Sequence, residues 1–551
     1  MLKNKKIALL ATITALSLTS CIKDEIDKLK NVNTVQIEDW GAQWAAPLIY
    51  SDLSLKNLIN DFDDGNIVQS YSDGLLYAVY DSTSYSIQAK DFILIPNSLQ
   101  GFSLVTTPSQ QTTFVSTPIG SDYQIESLAF SDLTYNFGPM EFDQMKVQSG
   151  SFEVSFPNTS THSIKLNLEF PYFIKNGTPL TQNIVLPANS NNPVVINLSG
   201  CDIDFTGNTP GQFNKVLVKR STTFTKENNT PLPPIFNVNL EFKNLVFQSL
   251  KGYLGQSVLP AINGTVAIDF FTANLNGGIV TLNDPRLVFK FENQLGMPMS
   301  VLGLNPLVAT GQNNTTTNIT GFPSPYTIQA ATNINASWTG KVTMDKNNSN
   351  INQATTLKVE KIDYSTQISF NPNGNTGPRN SINANDILKV TCFLEIPMDG
   401  TANNFSFQDT FDLDLTGGID SIDYVKEVLL RFNTTNGIPL NLGMQGVLLN
   451  ANKMPVAQLF INTPENLIVS ATVDNNGNVL NTTNKITDRI IAKPEYKALV
   501  QAGVKYIVFK AFASTANNGA ANVKIYENQK LNLRLGAKVT MDNNVTIYLK
   551  Q

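Results

Sequence analysis

From about residue 75 onward, apolar side chains recur at every second position. A chain that keeps this period can bury one face of each segment and leaves the other to water. Phe152, Val154 and Phe156 alternate with Ser151, Glu153 and Ser155; after the break at 157–161, Ile164, Leu166, Leu168 and Phe170 alternate with Lys165, Asn167 and Glu169. Successive strand residues point to opposite faces, so each run has an apolar and a polar side. The two runs read as an antiparallel hairpin with one face buried. The same pattern returns at Phe236, Val238, Leu240 and Phe242, with Asn237, Asn239 and Glu241 opposite. Pro and Gly fall mainly between such runs, and proline cannot sit in a central strand. Many short strands separated by turn signals predict an all-β chain built of β-sandwiches.

An internal repeat organises these strands. Leu275-Asn276-Gly277-Gly278-Ile279 matches Leu415-Thr416-Gly417-Gly418-Ile419 at a spacing of 140, with Phe271 matching Phe411 in the same frame. One residue later in register, Phe291 and Gly296-Met297-Pro298-Met299 match Phe432 and Gly437-Ile438-Pro439-Leu440. Recurrence of ordered anchor positions marks homologous modules. A weaker third copy is expected at Phe156-Pro157-Asn158. At 551 residues the chain exceeds what one hydrophobic core sustains.

The expected organisation is two to three tandem β-sandwich modules behind a short helix-containing N-terminal region. A signal segment occupies 1–20, a tether 21–39 and the N-terminal region 40–140. Modules then fill 141–255, 256–395 (repeat 1) and 396–551 (repeat 2). In the N-terminal region, Leu55, Leu58, Ile59 and Phe62 follow helical spacing behind Ser54 as N-cap, and Asp63-Asp64-Gly65-Asn66 closes the turn. Near the other end, a helix is predicted over Pro494–Ala502 with Gly503 as its cap. Strands are predicted at Tyr506–Phe512, Val523–Tyr526, Leu531–Leu535 and Val545–Leu549, the last pairing the terminus into a sheet.

The first residues give an address. Lys3, Lys5 and Lys6 precede the apolar stretch Ile7–Leu18, a secretory signal too short to span a bilayer. It ends in Leu18-Thr19-Ser20-Cys21, which resembles the lipobox of bacterial lipoproteins. The resemblance implies cleavage before Cys21 and acylation of its thiol. Ile22-Lys23-Asp24-Glu25 resembles the export signal of surface lipoproteins of the Bacteroidota, with Lys23, Asp24 and Glu25 as its charged residues. That implies an outer-membrane lipoprotein facing the cell exterior, whereas a bare charged run would be only a solvated tether. Several acyl chains, each buried methylene contributing about 0.8 kcal/mol, suffice to hold a protein on a membrane. The glycine pair, the following strand and Asn293 to Pro298 resemble large multi-module β-sandwich lipoproteins of the same group, and more faintly late-embryogenesis-abundant-like sandwiches.

Composition narrows the chemistry. Charged residues are only 15% and the net charge is -5, which leaves no basic stripe for nucleic acid. After Cys21, only Cys201 and Cys392 remain, too few for a disulfide framework, and they read as two separate buried thiols. His162 is the single histidine, so a zinc site of ordinary type cannot be assembled. It sits beside a turn, no Gly-x-Ser-x-Gly elbow accompanies it, and it reads as a surface residue. No catalytic, metal or cofactor site is expected.

Other candidates are weighed against plainer roles. Paired carboxylates could hydrolyse glycosides, but only at a separation that three dimensions must supply. Asp61, Asp63 and Asp64, and Asp474, Asn476 and Asn478, have the alternating oxygens of a calcium loop, yet Asn476-Gly477 is a hairpin turn signal. Trp338 continues the alternation of Ile334 and Ala336 and reads as core. Trp40 and Trp44, near the tether, are possible contacts for a partner or ligand. Asp81-Ser82-Thr83 and Asp420-Ser421-Ile422 resemble the short O-glycosylation motif of exported Bacteroidota proteins.

The reading is a non-enzymatic surface lipoprotein, anchored to the membrane by its N-terminal lipid. Its expected partners are an outer-membrane β-barrel or other surface lipoproteins, within an assembly or transport complex. Glycan capture is the alternative, and a carboxylate-based hydrolase the third.

Overall fold

The computed structural model describes residues 34–37, 43–56, 68–82, 84–268, 278–311, 314–333, 335–356, 359–412, 425–460, 464–542 and 545–548. The all-β expectation holds, and its sandwiches share one design. In what we call the inner module, the eight successive strands are Ser98–Val105, Asp122–Thr134, Glu141–Ser155, Ser163–Lys175, Thr178–Leu186, Val194–Asn197, Lys215–Thr225 and Ile235–Tyr253. The first pairs with the eighth, the eighth with the third and the third with the sixth. The second pairs with the seventh, the seventh with the fourth and the fourth with the fifth. Two four-strand rows in the orders 1-8-3-6 and 2-7-4-5 make a jelly roll, bridged at one end by the short strand Asp202–Asp204, which pairs with both the third and the fourth.

The same two orders recur twice. In the middle module the first strand is Leu76–Asp81 with Tyr85–Gln88, the second Ile262–Ala267, the third Arg286–Asn293 and the fourth Met299–Gly311. The fifth comprises Thr316–Asn318 and Tyr326–Ile328, and Trp338–Met344, Val359–Phe370 and Ile387–Pro397 complete the eight. Their pairings repeat those of the inner module. In the outer module the first four are Gln43–Ser54, Phe405–Asp412, Val425–Asn436 and Leu440–Asn450. Pro455–Gln458 with Glu465–Ile468, Thr483–Ala492, Val504–Thr515 and Lys530–Met541 follow, paired in the same way.

The modules are nested. The connection from first to second strand of the middle module holds the whole inner module, and the same connection of the outer module holds the other two. This corrects the boundaries drawn along the chain. Residues 40–140 make no unit of their own: Gln43–Ser54 pairs with Lys530–Met541, Leu76–Asp81 with Ile387–Pro397, and Ser98–Val105 with Ile235–Tyr253. The reason is that a strand's face pattern says nothing about which distant strand completes its ladder. The helix expected from Leu55 to Phe62 lies almost wholly outside the described residues; Gln43–Ser54 before it is strand.

The hairpin read at 151–170 also needs correction. Glu141–Ser155 and Ser163–Lys175 stand in opposite layers and do not pair with each other; they share only the short strand Asp202–Asp204, and their long partners lie elsewhere. Their apolar faces meet across the sandwich, where the rings of Phe152 and Phe170 cross at 89° with centroids 5.3 Å apart. Phe142, Phe173, Phe205 and Phe242 complete a buried aromatic core. Each such side chain contributes about 1.5–3 kcal/mol by leaving water. One continuous core runs through the inner and middle modules, while the outer module has its own.

Two junctions join the modules. Asn380–Asn383, before the eighth strand of the middle module, pairs antiparallel with the inner module's last strand at Ser249–Gly252. Below it, Ile279–Leu282, Asp399–Asn403 and Val523–Lys524 form a small sheet between middle and outer modules. The helix expected at the C-terminal end spans Lys493–Gln501, and Gly503 takes the left-handed conformation at φ +66° just beyond it. Val545–Tyr548 pairs with Thr34–Ile37, so the first and last described segments lie together.

Candidate interaction surface

Each module turns from its third to its fourth strand around a buried asparagine. The Oδ1 of Asn158 accepts from the Ser160 amide at 3.0 Å, and its Nδ2 donates to the carbonyls of His162 and Pro187 at 2.9 and 2.8 Å. The Oδ1 of Asn293 accepts from the Leu295 amide, and its Nδ2 reaches the carbonyls of Met297 and Gln329. The Oδ1 of Asn436 accepts from the Ile438 amide, and its Nδ2 reaches the carbonyls of Leu440 and Val469. The amide serves residues two and four places on, then a carbonyl just past the end of the fifth strand, in all three. A short loop between sheets leaves backbone groups without ladder partners, and these side chains supply them. The third copy near Phe156-Pro157-Asn158 therefore has a physical core in Asn158. The match at Gly296 and Gly437 runs two residues out of this structural frame, which is why the equivalence of Asn158, Asn293 and Asn436 was not legible in sequence. Each stands at the end of the third strand, four places before an inward-facing residue, His162, Met297 or Leu440; the spacing alone is shared by Asn136 and Asn214, so it needs the strand end beside it.

This frame reassigns His162. It stands where Met297 and Leu440 stand in the other modules and is fully buried, correcting the surface reading. Its Nδ1 accepts from the Glu227 amide at 3.1 Å, its Nε2 donates to the Thr230 carbonyl at 2.9 Å, and Phe114 packs edge-on against the ring. Both ring nitrogens are thereby satisfied.

His162 belongs to one end of the inner module, where four connections meet: 106–121, 156–162, 187–193 and 226–234. The first carries the helix Pro108–Ser116, whose N-cap Thr107 accepts from the Gln110 amide. Buried Lys226 closes the other end of that helix, its Nζ donating to the Val115 and Thr117 carbonyls at 2.5 and 2.7 Å. A cation there complements the negative end of the helix. Asn228 holds Thr161 and Thr230, fixing the last connection against the second. Val115, Ile119, Val105 and Ile235 are left exposed around this end, by 40%, 61%, 60% and 58%.

The other sequence candidates disperse. Cys21, Lys23, Asp24, Glu25, Trp40, Asp61, Asp63 and Asp64 lie outside the described residues, as do Ser421 and its neighbours. Trp44 falls on the outer module's first strand, opposite Val539. Trp338 opens a strand opposite Asn293 and packs half-buried on the core, over Gly340. The Asp474 carboxylate is taken up by its own turn, accepting from the Asn476 and Asn478 amides, which hold it below the usual carboxylate range. Ser82 is buried against Tyr364, out of reach of a glycosylating enzyme. Cys201 and Cys392 are buried and free in different modules, and burial raises both thiols. An open recess between Gly264, Thr265, Pro306 and Tyr364 contains one carboxylate, Asp363, held by Thr265 and Lys361.

No family model matches the chain, and no curated protein matches it. Among solved structures, a protein of Parabacteroides distasonis described as secreted is similar at 11% identity, covering 64% of this chain and 99% of that one, with a TM-score of 0.18. A triple-jelly-roll protein of an archaeal virus is similar at 10% identity over 83% of this chain and 96% of its own, with a TM-score of 0.12. A structure of infectious bursal disease virus, Gx strain, matches at 8% identity over 88% and 84%, with a TM-score of 0.13. Scores this low carry no argument about function. No helix among the described residues is long and apolar enough to cross a membrane.

Proposed function

We propose that this is a non-enzymatic lipoprotein of the outer membrane, exposed to the cell exterior, that serves as an extracellular subunit of an assembly or transport complex. Its partners would be an outer-membrane β-barrel or other surface lipoproteins. The supporting observation is the pairing of Thr34–Ile37 with Val545–Tyr548. A lipid on Cys21 would then tether the outer module, and the order of the junctions holds the inner module two modules further from the anchor. The test is Cys21→Ala, followed by membrane fractionation and protease treatment of intact cells. Wild type should sediment with outer membranes and be shaved from the surface; the variant should be released. Retention of the variant, or protection of wild type from protease, would sink the reading.

Tyr50 favours glycan capture as a second reading. It is 67% exposed on the outward face of the outer module's first sheet, with the Arg534 guanidinium 5.1 Å from its ring centre. In the next row Asn532 donates to Asp52 at 2.7 Å. Aromatic faces beside amide and carboxylate groups suit sugar rings. Electrophoresis through gels containing a soluble neutral polysaccharide should slow wild type and not Tyr50→Ala; equal mobility removes this reading.

A further inference from the structure

We infer that the free end of the inner module is a docking surface for the end of a β-sandwich in a second protein. The inference rests on the reading above and names the surface and kind of partner.

The argument comes from equivalence. Wherever the outer and middle modules present their first-to-second connection, a β-sandwich is seated on that end. The inner module presents the same end with the short connection 106–121 in place of an inserted module. At both occupied ends, the connection between seventh and eighth strands grips a carboxylate at the foot of the seated module. Arg379 donates to Asp143 at 2.9 and 2.6 Å and to Glu141 at 2.6 Å, and Asn522 donates to Asp399 at 2.9 Å. On the inner module that connection is 226–234, where Asn229 is exposed.

The surface suits burial against protein. Lys226 and Glu227 are the charged residues in its four connections, and Lys226 is spent on the helix. Depletion of charge around exposed aliphatic side chains marks the centre of an interface. The rings of Phe114 and Phe156 point into the core, so these connections offer no platform for stacking a sugar. Val115 and Ile119 are the exposed aliphatic side chains that the 106–121 connection offers to a partner.

The test uses the full chain in its own membrane. A diazirine amino acid replaces Ile119 in one variant and Ile490, on the outer module, in a control. Irradiation should join position 119 to one protein other than this chain, the linked peptide lying in an end loop of a β-sandwich. The double variant Val115→Asp, Ile119→Asp, confirmed to melt like wild type, should lower co-purification of that protein at least tenfold. Ile490→Asp should leave it unchanged. Adducts no more abundant than at 490, or adducts only to lipid, polysaccharide or a second copy, would overturn the inference. A protein that is surface-exposed and anchored by Cys21 yet forms no such adduct overturns this inference alone.

Discussion

Asn371 and Asn380 exchange amide hydrogen bonds at 2.9 and 3.0 Å in the buried junction between the middle and inner modules. The same pair reaches across it: Asn371 Nδ2 donates to the Gly255 carbonyl at 2.7 Å, and the Leu254 amide donates to Asn380 Oδ1 at 3.1 Å. A buried polar group stripped of its partner costs about 1–3 kcal/mol. Asn371→Leu should therefore destabilise by at least about 2 kcal/mol, because it orphans the Gly255 carbonyl and Asn380 Nδ2 and leaves Asn380 Oδ1 with only the Leu254 amide. The inner and middle modules share one core, so denaturant unfolding should show the loss in their joint transition. The outer module's transition should not move.

The three turning asparagines are predicted to be individually indispensable to their own module. Asn293→Ala leaves the Leu295 amide and the Met297 and Gln329 carbonyls without this partner. The expected cost is about 2–4 kcal/mol. Hydrogen exchange should accelerate at Leu295 while the amide of Ile438, held by Asn436 in the outer module, stays protected. The converse pattern should follow Asn436→Ala.

His162→Ala combines a cavity with two orphaned backbone groups, the Glu227 amide and the Thr230 carbonyl. A loss of about 3–5 kcal/mol is expected, in the range of large-to-small core substitutions. His162→Met, the residue that the middle module has there, should recover most of the packing but not the hydrogen bonds. Thermal unfolding of the three proteins would rank them wild type, Met, Ala; equal loss in both variants would show that packing against Phe114 matters little.

Cys201 and Cys392 should resist alkylation. Burial disfavours the thiolate, and the thiolate is the reactive form. Raised thiol pKa values mean that labelling by iodoacetamide should not accelerate through pH 8–9, where an ordinary cysteine would ionise. In denaturant both should label together, because both belong to the core shared by the inner and middle modules. Early labelling of one alone would show that this core is not a single cooperative unit.

Much of the fold was legible in sequence because burial writes itself into the period of two. Phe152, Leu166, Phe242 and their neighbours point inward as their alternation required. Pairing was not legible: nothing local in Ser163–Lys175 says that its partners are Lys215–Thr225 and Thr178–Leu186 and not the strand just before it. His162 misled for a related reason. Its position beside a turn suggested solvent, and only the neighbouring connection 226–234, distant in sequence, closes over the ring. The site at the inner module's end was invisible because it is defined by equivalence among three modules, one of which had left only Phe156-Pro157-Asn158 as a trace. The expected anchor was read from residues 1–25 alone, and these lie outside the described residues.

Nesting also fixes an order of events in synthesis. The inner module has all its strands once Tyr253 has emerged, and the middle module must wait for Pro397. Gln43–Ser54 emerges before either, yet its ladder partner Lys530–Met541 comes almost last. Closing so long a loop would be slow for an unstructured chain. Folding of the two inserted modules shortens it, since each brings the ends of its own segment together before the outer strands must meet. A chain cut between Pro397 and residue 530 would keep two complete jelly rolls and carry Gln43–Ser54 as an unpaired edge, open to the wrong partner.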